Sequence, residues 1–273
     1  MTAAAPIAIF DSGVGGLTVA RELRRALPHE DIIYLGDTAR VPYGPKSAAT
    51  VKRFASECVE FLLHFRPKLV IIACNTASAT ALEDLDQIVD VPLLGVIEPG
   101  ARAALGASNL RRIAVIGTRA TVASGAYPRA VAALDKGATL FSRACPLFVA
   151  MVEEGRTKGP VVKAVAQEYL TPLLEQEIDT LILGCTHYPV LKPVLAEVAG
   201  AGVTLIDSAE TMATAAKELL AARGEGRPES AEPPKQRFYV TDVMDEFERV
   251  GRIIWPEMAG RIERVEIGRA ALR

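Results

Sequence analysis

The sequence is poor in the residues and segments that mark several classes of protein. Its 273 residues include four cysteines, one tryptophan and three histidines. Four cysteines are too few for a disulfide scaffold, and they indicate free thiols in a reducing compartment. No apolar stretch approaches the roughly 18 residues that a membrane span requires. The N-terminus, MTAAAPIAIF, has no basic segment of the kind that opens a secretion signal. We therefore expect a cytoplasmic protein without a membrane partner.

An excess of charge of one sign is also missing. The chain carries 31 Lys and Arg against 33 Asp and Glu, for a formal net charge of −2. Without a basic patch, neither nucleic acid nor an anionic membrane is an expected partner. Half of the residues are hydrophobic, which supports a well-buried core in one large or two medium domains. These features favour a globular protein that binds a small molecule.

Two of the cysteines come directly after apolar runs. Cys185 follows such a run in TLILGCTHYP (180–189), and Cys74 follows another in LVIIACNTAS (69–78). A short Ile/Leu/Val run bounded by turn-forming residues predicts a strand that is buried on both faces of a parallel sheet. Ligands bind at the carboxyl ends of such strands. Both thiols are therefore predicted to lie at edges of a sheet where a site can form.

Strand-like and helix-like segments alternate along the chain, and the series occurs twice. The predicted strands are 6–10, 31–36, 69–73, 112–117, 138–144 and 180–184, and a further strand-like run follows at 237–241. Ile113 lies 106 residues after Ile7, and Cys185 lies 111 residues after Cys74, so the second series repeats the first at a nearly constant offset. The pattern predicts an α/β fold with two similar, pseudo-symmetric domains, each a mostly parallel sheet flanked by helices. The active site is expected in the cleft between them.

The boundary between the two domains is predicted near GVIEPG (95–100), where one proline and two glycines interrupt the pattern. The segment after Asp207 is too short for a third domain, so we expect it to return to the first. The first domain is accordingly predicted to comprise residues 1–98 and 207–273, and the second residues 99–206. Cys74 and Cys185 would then lie on opposite walls of one cleft.

Several simpler explanations compete for the cysteines. A free cysteine is often a small buried apolar residue, and we interpret Cys58 and Cys145 in that way. Cys74 and Cys185 are each followed by polar residues that a core position does not tolerate without partners. A catalytic disulfide between these two remains an alternative, although redox pairs usually occur as Cys-x-x-Cys. A metal site is another, for which the candidate ligands are Asp11, Cys74, Cys185 and His187.

The glycine-rich segment DSGVGG (11–16) does not fit a nucleotide site. It lacks the Lys-Ser/Thr pair of a phosphate-binding loop, and it has an aspartate where a dinucleotide fingerprint requires glycine. Asp11 and Ser12 instead offer short polar side chains, while the glycines allow a small anion to approach the next helix N-terminus. Thr76 and Thr186 could donate to a substrate carboxylate in the same way. A simple tight turn is the alternative for the glycines.

Two thiols facing one small anionic substrate suit the inversion of a carbon stereocentre. Racemisation needs a base on one face of the carbon and an acid on the other, with the roles exchanged in the reverse direction. Each thiol then needs a neighbour that steers its proton. Asp11 could serve Cys74, and His187 could serve Cys185. The carboxylates that could orient the histidine are Glu153 and Glu154, which follow the strand-like run CPLFVAMV (145–152).

With these residues identified, the sequence closely resembles the cofactor-independent glutamate racemases of bacteria. The resemblance covers essentially the whole chain. It rests on DSGVGG (11–16), GDTARVPYG (36–44), ACNTAS (73–78), GVIEPG (95–100) and GCTHYP (184–189). It implies that the protein interconverts L-glutamate and D-glutamate, supplies D-glutamate for peptidoglycan in cell wall biogenesis, and uses neither pyridoxal phosphate nor metal.

The resemblance also implies roles for individual residues. Cys74 and Cys185 become the catalytic acid/base pair, assisted by Asp11 and His187. Glu153 is preferred over Glu154 as the residue that orients His187, because the family's carboxylate directly follows an apolar run. The implied substrate contacts are Asp11, Ser12, Tyr43, Gly44, Asn75, Thr76, Thr186 and His187.

Alternatives to glutamate racemisation remain open at this stage. Aspartate and hydantoin racemases are similar two-cysteine proteins, and a small-anion binding or regulatory module could use the same cleft without turnover. Pyridoxal catalysis needs a lysine Schiff base, and DSGVGG, ACNTAS and GCTHYP contain no lysine. A homodimer is compatible with the sequence, which carries no signal for an oligomeric state.

Overall fold

The computed structural model describes residues 3–229, 232–258 and 260–268, in which strands and helices alternate. The strands are β1 (Ile7–Asp11), β2 (Ile32–Gly36), β3 (Leu69–Ile72), β4 (Leu93–Gly95), β5 (Arg112–Gly117), β6 (Thr139–Ala144), β7 (Thr180–Gly184), β8 (Thr204–Asp207), β9 (Gln236–Val240) and β10 (Arg261–Arg264). The helices are α1 (Leu17–Ala26), α2 (Ala48–Leu63), α3 (Asn75–Asp86), α4 (Ile97–Ala107), α5 (Arg119–Ser124), α6 (Ala126–Leu134), α7 (Leu147–Glu153), α8 (Pro160–Leu174), α9 (Lys192–Ala199), α10 (Ser208–Arg223) and α11 (Met244–Ile254). A short 3₁₀ helix covers Tyr188–Leu191.

The described strands form two sheets, and their neighbours pair in parallel. The first sheet has the order β10-β9-β2-β1-β3-β4, and the second has the order β6-β5-β7-β8. The second sheet thus repeats the order β2-β1-β3-β4 of the first. The register repeats as well, since Ile7 pairs with Leu69 in one sheet and Ile113 pairs with Thr180 in the other. The predicted fold class, two similar α/β units with parallel sheets, is confirmed.

Local sequence accounts for the central elements of both sheets. β1, β3 and β7 are fully buried, as their unbroken apolar runs predict for strands covered on both faces. The predicted N-cap of α2 is present, because Ser47 Oγ accepts a hydrogen bond from the Thr50 N–H. Thr118 caps α5 in the same way, and Asp207 caps α10. A capping side chain therefore marks the start of each of these three helices.

The segment GVIEPG and the run CPLFVAMV both adopt regular structure. The predicted boundary segment GVIEPG contains the end of β4 and the first turn of α4, in which Pro99 is tolerated because the N–H groups there have no intrahelical partner. The run CPLFVAMV, interpreted as strand-like, forms most of α7 instead. Pro146 occupies the N-cap of that helix, and Phe148 and Val152, one turn apart, are its buried side chains.

The two sheets are joined through shared packing. One apolar cluster contains residues of both, among them Ile9 of β1 and Ile182 of β7. After β8 the chain enters α10, which packs against α1, and β9 then pairs with β2 of the first sheet. The exact domain boundaries, 1–98 with 207–273 and 99–206, stay a prediction, and residues 269–273 lie outside the described part of the chain.

A buried ion pair anchors the first sheet. Lys68, which directly precedes β3, places its Nζ 2.6 Å from Glu30 Oε2, and both side chains are almost completely buried. The same ammonium donates to the Ala3 carbonyl at 2.7 Å and the Glu225 carbonyl at 2.8 Å. This lysine therefore ties the N-terminal segment and the loop after α10 to the amino end of β3.

No helix among the described residues combines enough length with enough apolar character to cross a bilayer.

Candidate active site

The carboxyl ends of β1, β3 and β7 carry the predicted reactive residues. Asp11 is the last residue of β1, Cys74 lies two residues beyond β3, and Cys185 directly follows β7. Cys74 is also the N-cap of α3, where its sulfur accepts a hydrogen bond from the Ala77 N–H at 3.5 Å. Because strands of one direction end at the same edge of a sheet, each sheet presents one of the two thiols to the space between the domains.

Both thiols line one small cavity. Its volume is about 30 Å³, and its wall includes Cys74 from the first sheet and Cys185 from the second. The other predicted site residues in the wall are Ser12, Tyr43, Gly44, Asn75, Thr76, Thr186 and His187. A cavity of this size holds only about two water molecules. The two walls therefore lie close together around the thiols.

Two larger clefts on the surface are unrelated to this chemistry. Their volumes are about 560 and 490 Å³, and none of the predicted site residues lines either one. The site is therefore identified by its reactive groups and not by its size.

The thiol of Cys74 lies in a buried and anionic environment. Its sulfur is 3.5 Å from Ser12 Oγ. Burial, followed by the nearby charge of Asp11, raises the pKa of Cys74 to about 12, while its hydrogen bonds with Ala77 and Ser12 act in the opposite direction. Burial also raises the pKa of Asp11, although the charge of His187 and a hydrogen bond from the Gly13 N–H act in the opposite direction. Cys74 is therefore protonated at neutral pH and ready to act as an acid.

Cys185 has a different neighbour, an imidazole. His187 Nδ1 lies 3.8 Å from Cys185 Sγ, and His187 Nε2 lies 3.2 Å from Glu153 Oε1. Burial would lower the pKa of His187, but the hydrogen bonds to Cys185 and Glu153 and the charges of both raise it to about 10. An imidazole beside a thiol can exchange a proton with it. Cys185 thus has a partner for proton transfer.

Glu153, at the end of α7, is the carboxylate that reaches His187. Glu154 is the next residue and is exposed. The structure thus brings together the residues predicted around Cys185, and it distinguishes the two glutamates that the sequence alone left as alternatives.

Hydrogen bonds cross directly between the two walls. Thr186 Oγ1 donates to Asp11 Oδ1 at 3.3 Å, and Thr18 Oγ1 donates to the Thr186 carbonyl at 3.1 Å. On the other side of the cavity, the hydroxyls of Thr76 and Thr118 lie 2.9 Å apart. Polar contacts between the domains thus hold the residues around the thiols in place.

Close backbone approach explains one glycine of DSGVGG. A Cβ atom on Gly15 would lie 2.4 Å from Thr186 Oγ1 and 2.5 Å from His187 Nδ1. Real Cβ atoms essentially never come this close to another heavy atom. Gly15 therefore allows the turn after β1 to pack directly on the Cys185 side of the site.

Tyr43 lines the cavity, but its hydroxyl is used elsewhere. It donates to Asp37, which also accepts a hydrogen bond from Thr241 at 3.0 Å. The phenol ring packs against Phe10 and Phe54 in the first domain. Any substrate contact made by Tyr43 must therefore come from its backbone or from the edge of its ring.

Thr118, Val149 and the segment Val41–Pro42 also line the cavity, and sequence reasoning did not identify them. The internal repeat carries a signal for one of them. Thr118 lies 106 residues after Ser12, so it occupies the equivalent position at the end of β5. Val149 carries no comparable signal because its segment was interpreted as a strand.

Within the described ranges, no three His, Cys, Asp or Glu side chains are arranged to hold a metal ion.

The fold and the cavity together define a class of protein: an α/β enzyme whose small-molecule site lies between two similar domains. Residues 17–216 match the model of the Asp/Glu/Hydantoin racemase family. The chain is 49% identical over 262 residues to the glutamate racemase of Syntrophus aciditrophicus, covering 96% of this chain and 97% of that one.

Solved structures agree with this match. The chain is similar to a glutamate racemase of Bacillus anthracis with a TM-score of 0.92 and 40% identity, covering 96% of this chain and 97% of that one. It is also similar to the Francisella tularensis glutamate racemase in complex with D-glutamate, with a TM-score of 0.90, 39% identity, and 97% and 98% coverage. The protein belongs to the Asp/Glu/Hydantoin racemase family and is an isomerase, as the motifs predicted.

Proposed function

We propose that this enzyme interconverts L-glutamate and D-glutamate by a two-base mechanism in which Cys74 and Cys185 exchange the α-proton. The observation that carries the proposal is the single cavity lined by one thiol from each domain. The relatives described above are glutamate racemases, which supports glutamate over aspartate or a hydantoin as substrate. The product D-glutamate would supply peptidoglycan synthesis.

In the direction from L-glutamate, Cys185 acts as the base. Its thiolate, stabilised by the protonated His187, removes the α-proton and becomes a thiol. Cys74, protonated because burial and Asp11 raise its pKa to about 12, donates its proton to the opposite face of the carbon. One C–H bond breaks and another forms, so the substrate leaves as D-glutamate.

In the direction from D-glutamate, the two thiols exchange roles. Cys74 must then lose its proton before it can act, and Asp11, close by and with its own pKa raised, is the group suited to take it. The two directions therefore depend on different neighbours, Asp11 for one thiol and His187 for the other.

Polar groups around the cavity suit a substrate that carries a carboxylate. In the first turn of α3 the Ala77 N–H donates to Cys74 Sγ, whereas the N–H groups of Asn75 and Thr76 have no intrahelical acceptor. The N-terminus of this helix also favours a negative charge. The side chains proposed to complete the binding site are Asp11, Ser12, Asn75, Thr76, Thr186 and His187, with the backbone of Tyr43 and Gly44.

The proposed mechanism uses neither pyridoxal phosphate nor a metal. The motifs around the cavity contain no lysine for a Schiff base. A metal bound to the thiolates would also occupy the lone pairs that must accept the substrate proton.

Circular dichroism of free glutamate incubated with the enzyme tests the proposal. Optical activity should disappear from either enantiomer with the parent protein and persist with Cys74→Ser or Cys185→Ser, because a hydroxyl is a far weaker acid than a thiol of pKa about 8.5. Racemisation by either folded single variant would refute the two-base mechanism. A parent enzyme that inverts aspartate and not glutamate would refute the substrate assignment, and binding without turnover would indicate a regulatory module.

Deuterium exchange tests the assignment of the two faces. In Cys185→Ser, exchange from L-glutamate should be reduced more than exchange from D-glutamate. In Cys74→Ser, exchange from D-glutamate should be reduced more than exchange from L-glutamate. His187→Asn and Asp11→Asn should show the same asymmetry in weaker form. Equal exchange from both enantiomers in both cysteine variants would contradict it.

The pH dependence of the reaction tests Glu153. Glu153→Gln removes a charge that raises the pKa of His187, so the imidazole loses its proton at a lower pH. The alkaline limb of kcat/KM for L-glutamate should therefore move to lower pH. Glu154→Gln is the matched control, because that exposed side chain is not the one bonded to His187. Equal pH profiles of kcat/KM for the two variants would contradict the role of Glu153 as the partner of His187.

A further inference from the structure

A buried amide group at the cavity has no partner. Asn75, the first residue of α3, lines the cavity, and its side-chain Nδ2 is buried without a hydrogen-bond acceptor in the described part of the chain. A buried donor without a partner costs free energy unless a ligand satisfies it. The amide N–H groups are therefore available to a substrate carboxylate oxygen.

The other end of the same amide is held by the second domain. Tyr127, in α6, donates its hydroxyl hydrogen to Asn75 Oδ1 at 2.7 Å. Both groups are buried, and Asn75 Oδ1 is the polar partner found for this hydroxyl among the described residues. Burial, followed by the charge of Cys185, raises the pKa of Tyr127, so the phenol keeps its proton and remains a donor.

The phenol ring itself has little room to move. A Cβ atom on Gly184, at the end of β7, would lie 3.2 Å from Tyr127 Cε2, and a Cβ atom on Gly100, in α4, would lie 3.4 Å from Tyr127 Cε1. These two glycines belong to the motifs GCTHYP and GVIEPG. Their missing side chains leave space for the ring at the junction of the two domains.

This arrangement fixes which atom of the amide meets the substrate. If the Asn75 amide turned over, Oδ1 would face an anionic substrate and the buried hydroxyl of Tyr127 would lose its acceptor. Both changes are unfavourable, since a carboxylate accepts hydrogen bonds and a buried O–H group needs an acceptor. The hydroxyl therefore selects the orientation in which Nδ2 points to the cavity.

We infer that Tyr127 is a positioning residue: from the second domain it orients the Asn75 amide of the first domain so that Nδ2 donates to a carboxylate of the amino-acid substrate. The inference rests on the proposed function of this site. It also means that the donor is correctly oriented only when the two domains are in contact.

Tyr127→Phe tests this inference because it removes the hydroxyl and keeps the ring. KM for both enantiomers should rise about threefold to tenfold, the range expected for one hydrogen bond, while kcat changes less than about twofold. Tyr169→Phe is the matched control, since its hydroxyl bonds the Leu147 N–H and Tyr169 does not line the cavity. Its KM should equal that of the parent.

A double variant separates positioning from simple structural support. If Tyr127 acts through Asn75, adding Tyr127→Phe to Asn75→Ala should leave KM unchanged from Asn75→Ala alone. Asn75→Asp provides a second variant, because it keeps an acceptor for the hydroxyl but removes the donor, and its KM should rise at least as far as that of Asn75→Ala.

The outcomes distinguish this inference from the proposed function. An unchanged KM in Tyr127→Phe, or an additive effect in the double variant, would overturn the role of Tyr127 while the parent remained a glutamate racemase. A parent without glutamate racemase activity would instead refute the proposed function.

Discussion

Replacing Gly15 with alanine should disable the site by adding a single methyl group. The new Cβ atom would lie 2.4 Å from Thr186 Oγ1, 2.5 Å from His187 Nδ1 and 2.6 Å from His187 Cε1. Ordinary van der Waals contact begins at 3.4 Å, so these atoms would have to move by about 1 Å. His187 has little freedom to do so, because it is buried and bonded to both Cys185 and Glu153.

The expected magnitudes follow from that displacement. Overpacking of this kind costs about 1–3 kcal/mol of unfolding free energy. A displacement of about 1 Å at a catalytic group reduces the rate about 100-fold. Gly15→Ala should therefore remain folded at room temperature, with a modestly lower midpoint of urea unfolding and a kcat/KM for L-glutamate about 100-fold below that of the parent.

The assay combines racemisation, followed by circular dichroism, with urea unfolding of the same preparation. Gly106→Ala is the control, because a Cβ atom there meets nothing within 4 Å and the position lies inside α4. That variant should keep full activity and gain about 0.5–1 kcal/mol of stability. Activity of Gly15→Ala within about threefold of the parent would refute the reasoning, since such an effect is under 1 kcal/mol.

Three further predictions concern stability and cofactors. Lys68→Met leaves Glu30 buried without its cation, so urea titrations should show a free energy of unfolding that is lower by about 3–5 kcal/mol. A loss below about 1 kcal/mol, typical of an exposed pair, would contradict the burial of this ion pair. Burial and the charge of Asp11 raise the pKa of Cys74 from 9.0 to about 12, so the unfolded chain releases this proton first and stability falls as the pH rises between those values. Cys74→Ser should reduce that slope by about 1.4 kcal/mol per pH unit, and identical slopes would argue against a protonated buried thiol. The purified enzyme should keep full activity after chelator treatment and show no visible absorption band, while activity restored only by zinc would revive the metal-site alternative.

The sequence predicted those parts of the fold that are buried on both faces. β5 and β7 were located to the residue, because apolar runs such as RIAVIG and TLILG end at glycine. β4, β8 and β10 were missed, and the reasons for β4 and β10 are physical. β4 has only three residues after a proline, and β10, with the sequence RIER, is an edge strand whose alternating charges resemble a loop.

The site was predictable wherever a strand end delivered a reactive side chain. Cys74, Cys185 and Asp11 each follow an apolar run, so their placement required only the rule for parallel sheets. Tyr127 could not be found in this way, because it lies within a helix of the opposite domain and its contact with Asn75 depends on how the two domains pack. Long-range packing of this kind leaves no periodic pattern in a single sequence.

The small volume of the cavity has a consequence for the enzyme between turnovers. Under the two-thiol mechanism, converting L-glutamate leaves the proton on Cys185 and a thiolate at Cys74, and converting D-glutamate leaves the reverse. Under that mechanism the unliganded enzyme has two proton isomers, each competent for only one enantiomer. Both thiols are almost completely buried around a cavity with room for about two water molecules, so few solvent molecules can reach them directly. Under the same mechanism, the free enzyme would keep the protonation state left by its last turnover until a proton is exchanged.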